Sequence, residues 1–191
     1  MISSMPNRED SINLLKRYIE SEALRQHSMM VAVATEAYAR ELNKSDGEVD
    51  KWWSAGLLHD LDWEKFPDEH PSKAVNEILP PLGYPMDVIM AIKAHAPERT
   101  GKEPESELER YLFACDELSG FLNAVSLMRP NGFSDMKVKS VTKKLKDKRF
   151  AANVPREDIR KGANLIGQEL SDHIQFLIAV FKNSSSETYL E

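Results

Sequence analysis

Apolar residues recur every three or four positions along most of the chain, the spacing of amphipathic helices. Asp10 or Ser11 can start a short helix that ends at Ile19. Ser21 can cap a longer one over about 22–42, whose inward face reads Leu24, His27, Val31, Ala34 and Tyr38. Ser45 or Asp46 opens the next, with Val49, Trp52, Trp53 and Leu57 and an end near His59-Asp60. After a loop over 61–69, Pro71 suits the first turn of a helix that reaches Leu79 and stops at Pro80-Pro81. Gly83-Tyr84-Pro85 is a turn, a helix over about 86–95 ends before Pro97, and 96–104 reads as a loop. Helix 105–128 puts Leu108, Leu112, Cys115, Asp116, Ser119 and Leu122 on one face, and Pro130-Asn131-Gly132 breaks it. Residues 135–148 form a basic amphipathic helix, Pro155 begins a last helix over 156–182, and the tail 183–191 is expected to fray. No segment sustains a period of two, so the expected fold class is all-α, a helical bundle in one domain over 1–191.

Composition narrows the function more than the fold. At 191 residues the chain can bury a substantial core. Its net charge of -6 argues against a broad nucleic-acid surface. Cys115 is the single cysteine, so no internal disulfide forms, which fits a reducing cytoplasm. No basic-then-apolar leader and no membrane-length apolar run is present, which makes the cytoplasm the expected location.

The chemistry concentrates where the apolar pattern is interrupted. Gly56-Leu57-Leu58 continues into His59-Asp60, where a plain core helix would carry Leu or Ala. Asp sits poorly at a helix C-terminus, because the helix dipole there is already negative, and a cation would correct the misfit. Asp116 lies mid-helix on an apolar face, where an unpaired carboxylate is costly. A buried Arg or Lys could answer that cost, and so could a metal. His27 falls on the inward face of its helix, where an isolated His is more often a hydrogen-bonded core residue than a ligand. Imidazole nitrogen and carboxylate oxygen together suit Mn, Fe, Co, Ni or Zn and select none of them.

The order His27, His59-Asp60, Asp116 resembles the HD-domain superfamily of metal-dependent phosphohydrolases. The segments 56–71, Ala94-His95, 114–120 and 138–148 look like a small bacterial subfamily of predicted HD hydrolases, and the resemblance covers about 20–175. It implies an all-α HD-domain bundle in which His27, His59, Asp60 and Asp116 hold one metal. His70 and His95 stand in the order of the extra histidines of two-metal HD proteins, with Asp60 bridging the ions. His70 could instead pack at a helix start beside Pro71, and His95 could be a surface residue at a helix end. The implied cofactor is one or two divalent transition ions. The implied reaction is hydrolysis of a nucleotide or another small phosphate ester by metal-activated water. Two alternatives stay open: an HD-type di-iron oxygenase, and a non-catalytic nucleotide- or metal-binding regulatory domain. The expected partner is a small phosphorylated molecule, with no membrane and with nucleic acid disfavoured; the sequence leaves the oligomeric state open.

Around that core lie weaker candidates. Asp62 could orient water, Glu64 shares its loop, and Lys65 could hold a phosphate oxygen, although a solvated loop is the commoner fate of such residues. Lys73 and Arg99 are candidate substrate contacts, and Lys102 a weaker one. Glu117, adjacent to Asp116, is expected to point away from it. The lysines at 137, 139, 143, 144, 146 and 148, with Arg149, read as a solvated face or a dock for a polyanion. Trp52, Trp53 and Trp63 read as core or pocket wall, and His173 as structural.

Overall fold

The computed structural model describes residues 5–184. Every regular element among them is helical. α1 (Arg8–Tyr18) is capped by Asn7, whose side chain accepts the Asp10 N–H, so the helix starts earlier than Asp10 or Ser11 suggested. α2 (Glu22–Glu41) and α3 (Asp46–Leu58) start at Ser21 and Ser45, each of which accepts a first-turn N–H. The predicted helix after Pro71 is a π-helical turn (Ala74–Ile78) followed by a 3-10 turn (Pro80–Leu82). α4 (Met86–Ala94) follows, and a short α5 (Pro97–Thr100) stands where a plain loop was expected, with Pro97 in its first turn.

α6 (Glu107–Leu127) begins with a full capping box of Ser106 and Glu109. α7 (Val138–Leu145) buries Val141 and Leu145 and is shorter than the basic segment that contains it. The expected last helix is two, α8 (Arg156–Leu165) and α9 (Leu170–Ser184). The chain turns at Gly167, at φ 68, where the Gly167 and Gln168 N–H groups bond to the Asn164 and Ala163 carbonyls. Asn183 and Ser184, expected to fray, continue α9; the rest of that tail, 185–191, lies outside the described residues.

α2 and α6 are the central pair. α2 packs on α3, α6 and α9, and α6 also meets α4 and α8. One buried apolar cluster runs through them from Leu15 to Phe181. Each fully buried Leu or Phe in it contributes about 1.5–3 kcal/mol of hydrophobic stabilisation. Two close approaches set the geometry. A Cβ on Gly56 would stand 2.7 Å from Ala32 Cα and 2.6 Å from Thr35 Oγ1, so α3 lies on the backbone of α2. A Cβ on Gly162 would stand 2.7 Å from Ala114 Cα, so α8 lies equally close to α6. The first contact brings the end of α3, with His59-Asp60, against His27 of α2. The second seats α8 beside Asp116.

Candidate metal centre

Six side chains from α2, the end of α3, the following loop, the end of α4 and α6 converge. They form two groups, His27, His59 and Asp116, and Asp60, His70 and His95, each with its ligand atoms within 4.8 Å of one another. In the first, His27 Nε2 lies 3.0 Å from Asp116 Oδ1 and 3.2 Å from His59 Nε2, and His59 Nε2 lies 3.4 Å from Asp116 Oδ1. In the second, Asp60 Oδ1 lies 3.4 Å from His70 Nε2 and 3.6 Å from His95 Nε2. Asp60 joins them, because its Oδ2 faces His59 Nε2 at 3.3 Å and His27 Nε2 at 3.8 Å. One carboxylate thus turns an oxygen toward each group.

The far nitrogens fix the near ones. His59 Nδ1–H donates to Gly56 O at 2.8 Å and His95 Nδ1–H to Ile92 O at 2.5 Å, each the carbonyl three residues back along its own helix. His70 Nδ1–H donates to Asp62 Oδ1 at 2.7 Å. In each case Nδ1 carries a proton and Nε2 is the nitrogen turned to the centre, the arrangement in which an imidazole can give Nε2 to a metal. The donor set therefore fits one or two divalent ions. The local field agrees. Burial would lower His59, yet Asp60 and Asp116 outweigh it and raise its pKa well above the ordinary value. Burial would raise Asp60 and Asp116, yet the imidazoles hold both carboxyls far below the usual range. Such a field favours a cation.

The centre opens into a cavity of about 680 Å³. Trp63, 38 % exposed, lines it, and the Arg99 guanidinium stacks 5.0 Å from the Trp63 ring centroid. Arg99 also donates to Pro67 O at 2.9 Å and His70 O at 3.4 Å, which seats this cation beside the second group. The other loop candidates stand elsewhere. The Asp62 carboxylate is fully buried, and its oxygens take the His70 Nδ1–H and the Ala74 N–H, so it holds an imidazole instead of facing water. Glu64 accepts the Glu20 and Ser21 N–H groups ahead of α2. Lys65 donates to Arg17 O at 2.7 Å and Lys73 to Glu77 at 2.7 Å, and neither lines the cavity. Lys102 is bonded to Glu109 and Glu105.

Several cavity residues were not legible beforehand. Glu117 lines the cavity next to Asp116 and is not turned away from it, because helical neighbours differ by about 100° and the cavity is wide enough to reach both. Burial, with Asp116, Asp158 and Asp60 nearby, pushes its carboxyl up to about 9. Glu98, Glu103, Asp158 and Lys161 come from α5, the loop after it, and α8. An early aspartate and a basic residue one helical turn apart on α8 gave no signal in the sequence beyond an ordinary solvated face. His173 is buried away from the centre. Its Nε2–H donates to Ala114 O at 2.9 Å and its Nδ1 accepts from the Tyr38 hydroxyl at 2.6 Å.

A family model described as HD domain matches residues 24–120, just over half of the chain. Nothing matches among curated proteins or among solved structures.

Proposed function

The chain belongs to the HD-domain family, and from that premise we propose that it is a metal-dependent phosphohydrolase that cleaves a small phosphate ester with a metal pair. The single observation that carries this reading is Asp60, whose two oxygens face two separate ligand groups. His27, His59 and Asp116 would hold one ion, His70 and His95 the other, and Asp60 both. Bound there, a divalent pair supplies Lewis acidity, lowering the pKa of water and neutralising charge on phosphoryl oxygens.

The remaining residues position and enclose. Gly56 O, Asp62 and Ile92 O hold the imidazoles of His59, His70 and His95 in one tautomer. The Arg99 guanidinium stays beside His70 through its carbonyl bonds and its stacking on Trp63, and offers charge-assisted hydrogen bonds to a phosphoryl oxygen. Asp62 is a positioning residue in this reading. Lys65 and Lys73 have no part in it, since their ammonium groups are bonded outside the cavity. No helix among the described residues is long and apolar enough to cross a membrane. The continuous apolar cluster supports one folding unit that contains the site.

The test is elemental analysis of freshly purified protein, followed by a phosphate-release screen with the metal found. Two ions per chain and chelator-sensitive phosphate release support the reading. The same six ligands suit an iron pair, so oxygen consumption in place of phosphate release would favour the oxygenase alternative. Metal binding with neither activity would leave a regulatory binding domain.

A further inference from the structure

The cavity is charged unevenly. Beside the ligands, Arg99 is anchored to His70 O, next to the place where a phosphoryl group would meet the ions. Beside it on α5, and on α8, the walls also carry carboxylates. Glu98 on α5 and Asp158 on α8 line the cavity, and among the described residues neither carboxylate takes part in a hydrogen bond or a salt bridge. They lie near enough that, after burial, Glu98 raises the Asp158 pKa, Lys161 opposes it, and Asp116 adds to the rise. Lys161 is the cation on that wall, and its ammonium is bonded to Glu103 at 2.8 Å and sits over the Phe113 ring. Asp158 is held there by packing. It lies one turn before Gly162, on the face of α8 that rests on the α6 backbone next to Asp116.

Glu98 and Asp158 do not join either of the two groups of converging ligand atoms among the described residues, so they are not arranged as a further ion site. Their effect is on what else enters. Two divalent ions against Asp60 and Asp116 leave a positive surplus that one phosphoryl dianion cancels. A second phosphate would extend past that point, toward the exposed Glu98 and half-buried Asp158 carboxylates, where like charges repel and salt screens the repulsion. We propose that Glu98 and Asp158 are specificity residues that turn away a second phosphoryl group, so the site takes substrates with one phosphate and an uncharged or cationic remainder. This rests on the metal-pair reading above and adds a substrate class to it: monophosphate esters, and not nucleoside di- or triphosphates.

The test uses the metal-loaded full chain with inorganic phosphate and pyrophosphate as probes, binding measured by calorimetry and metal content checked afterwards. Wild type is expected to bind pyrophosphate no more tightly than phosphate. In the double variant Glu98→Gln/Asp158→Asn the affinity ratio should move toward pyrophosphate by about tenfold at low salt, with a smaller change at high salt. Both substitutions keep the side-chain shape and break no bond, so the fold is expected to persist. An unchanged ratio in the double variant overturns the proposal, as does tenfold tighter pyrophosphate binding in wild type or no binding of either probe. The hydrolase reading fails separately: phosphate binds with the expected ratio, but no phosphate is released from any monoester.

Discussion

Two buried polar clusters flank α6, and they treat histidine in opposite ways. At His173 both ring nitrogens are taken by the protein, one by the Tyr38 hydroxyl and one by Ala114 O, and burial holds the imidazole neutral with a pKa pulled down to about 4. At the candidate metal centre each of His59, His70 and His95 has one nitrogen anchored, while the other meets only fellow imidazoles and carboxylates. The first cluster is closed, so it serves folding. The second is left incomplete at one point in space, and that incompleteness calls for a cation. A buried histidine is thus sorted by what its second nitrogen meets, more surely than by its burial.

The comparison breaks most severely at Asp60. Asp60→Ala is expected to abolish binding of both ions and to lower turnover on the order of 10³-fold, the loss of several kcal/mol of charge stabilisation. Metal analysis and phosphate release check it, and retention of two ions would contradict the bridging part. Asp62→Asn sharpens the account, because it alters the group that orients His70 and accepts the Ala74 N–H while leaving all six converging side chains in place. It is expected to cost about 10–100-fold in affinity for the His70-side ion, with the His27-side ion retained.

His173 tests the closed cluster. Its folded pKa of about 4 lies below the ordinary 6.5, so its contribution is complete above pH 6.5 and is lost as pH falls toward 4. That loss amounts to roughly 3 kcal/mol. Urea denaturation of wild type between pH 7 and 4 should show it, and His173→Gln should flatten that limb while metal stoichiometry at pH 7.5 stays at two. The smallest expected effect is Lys65→Ala, with activity within about twofold of wild type, as for ordinary surface substitutions. A loss of a hundredfold would return Lys65 to the site.

The sequence made the two ends of this comparison unequally legible. His59-Asp60 and Asp116 interrupt apolar helical faces, and such breaks are visible in one dimension. Helix starts at Ser21 and Ser45 were equally readable, because a capping side chain acts on its own first turn. The loop residues misled. Asp62 and Lys65 sit close to the ligands in sequence, yet one folds under His70 and the other reaches out to Arg17. Glu98 and Asp158 were silent because their proximity depends on packing of α5 and α8, which no local pattern encodes. The division of 156–182 was missed because the apolar spacing resumes in phase after Gly167.

The most direct measurement is anomalous scattering from crystals grown with manganese. The account predicts two peaks about 3.5–4 Å apart, one among His27, His59 and Asp116 and one between His70 and His95, with an Asp60 oxygen on each. A single peak with His70 and His95 left bare, or peaks away from these six residues, would contradict it.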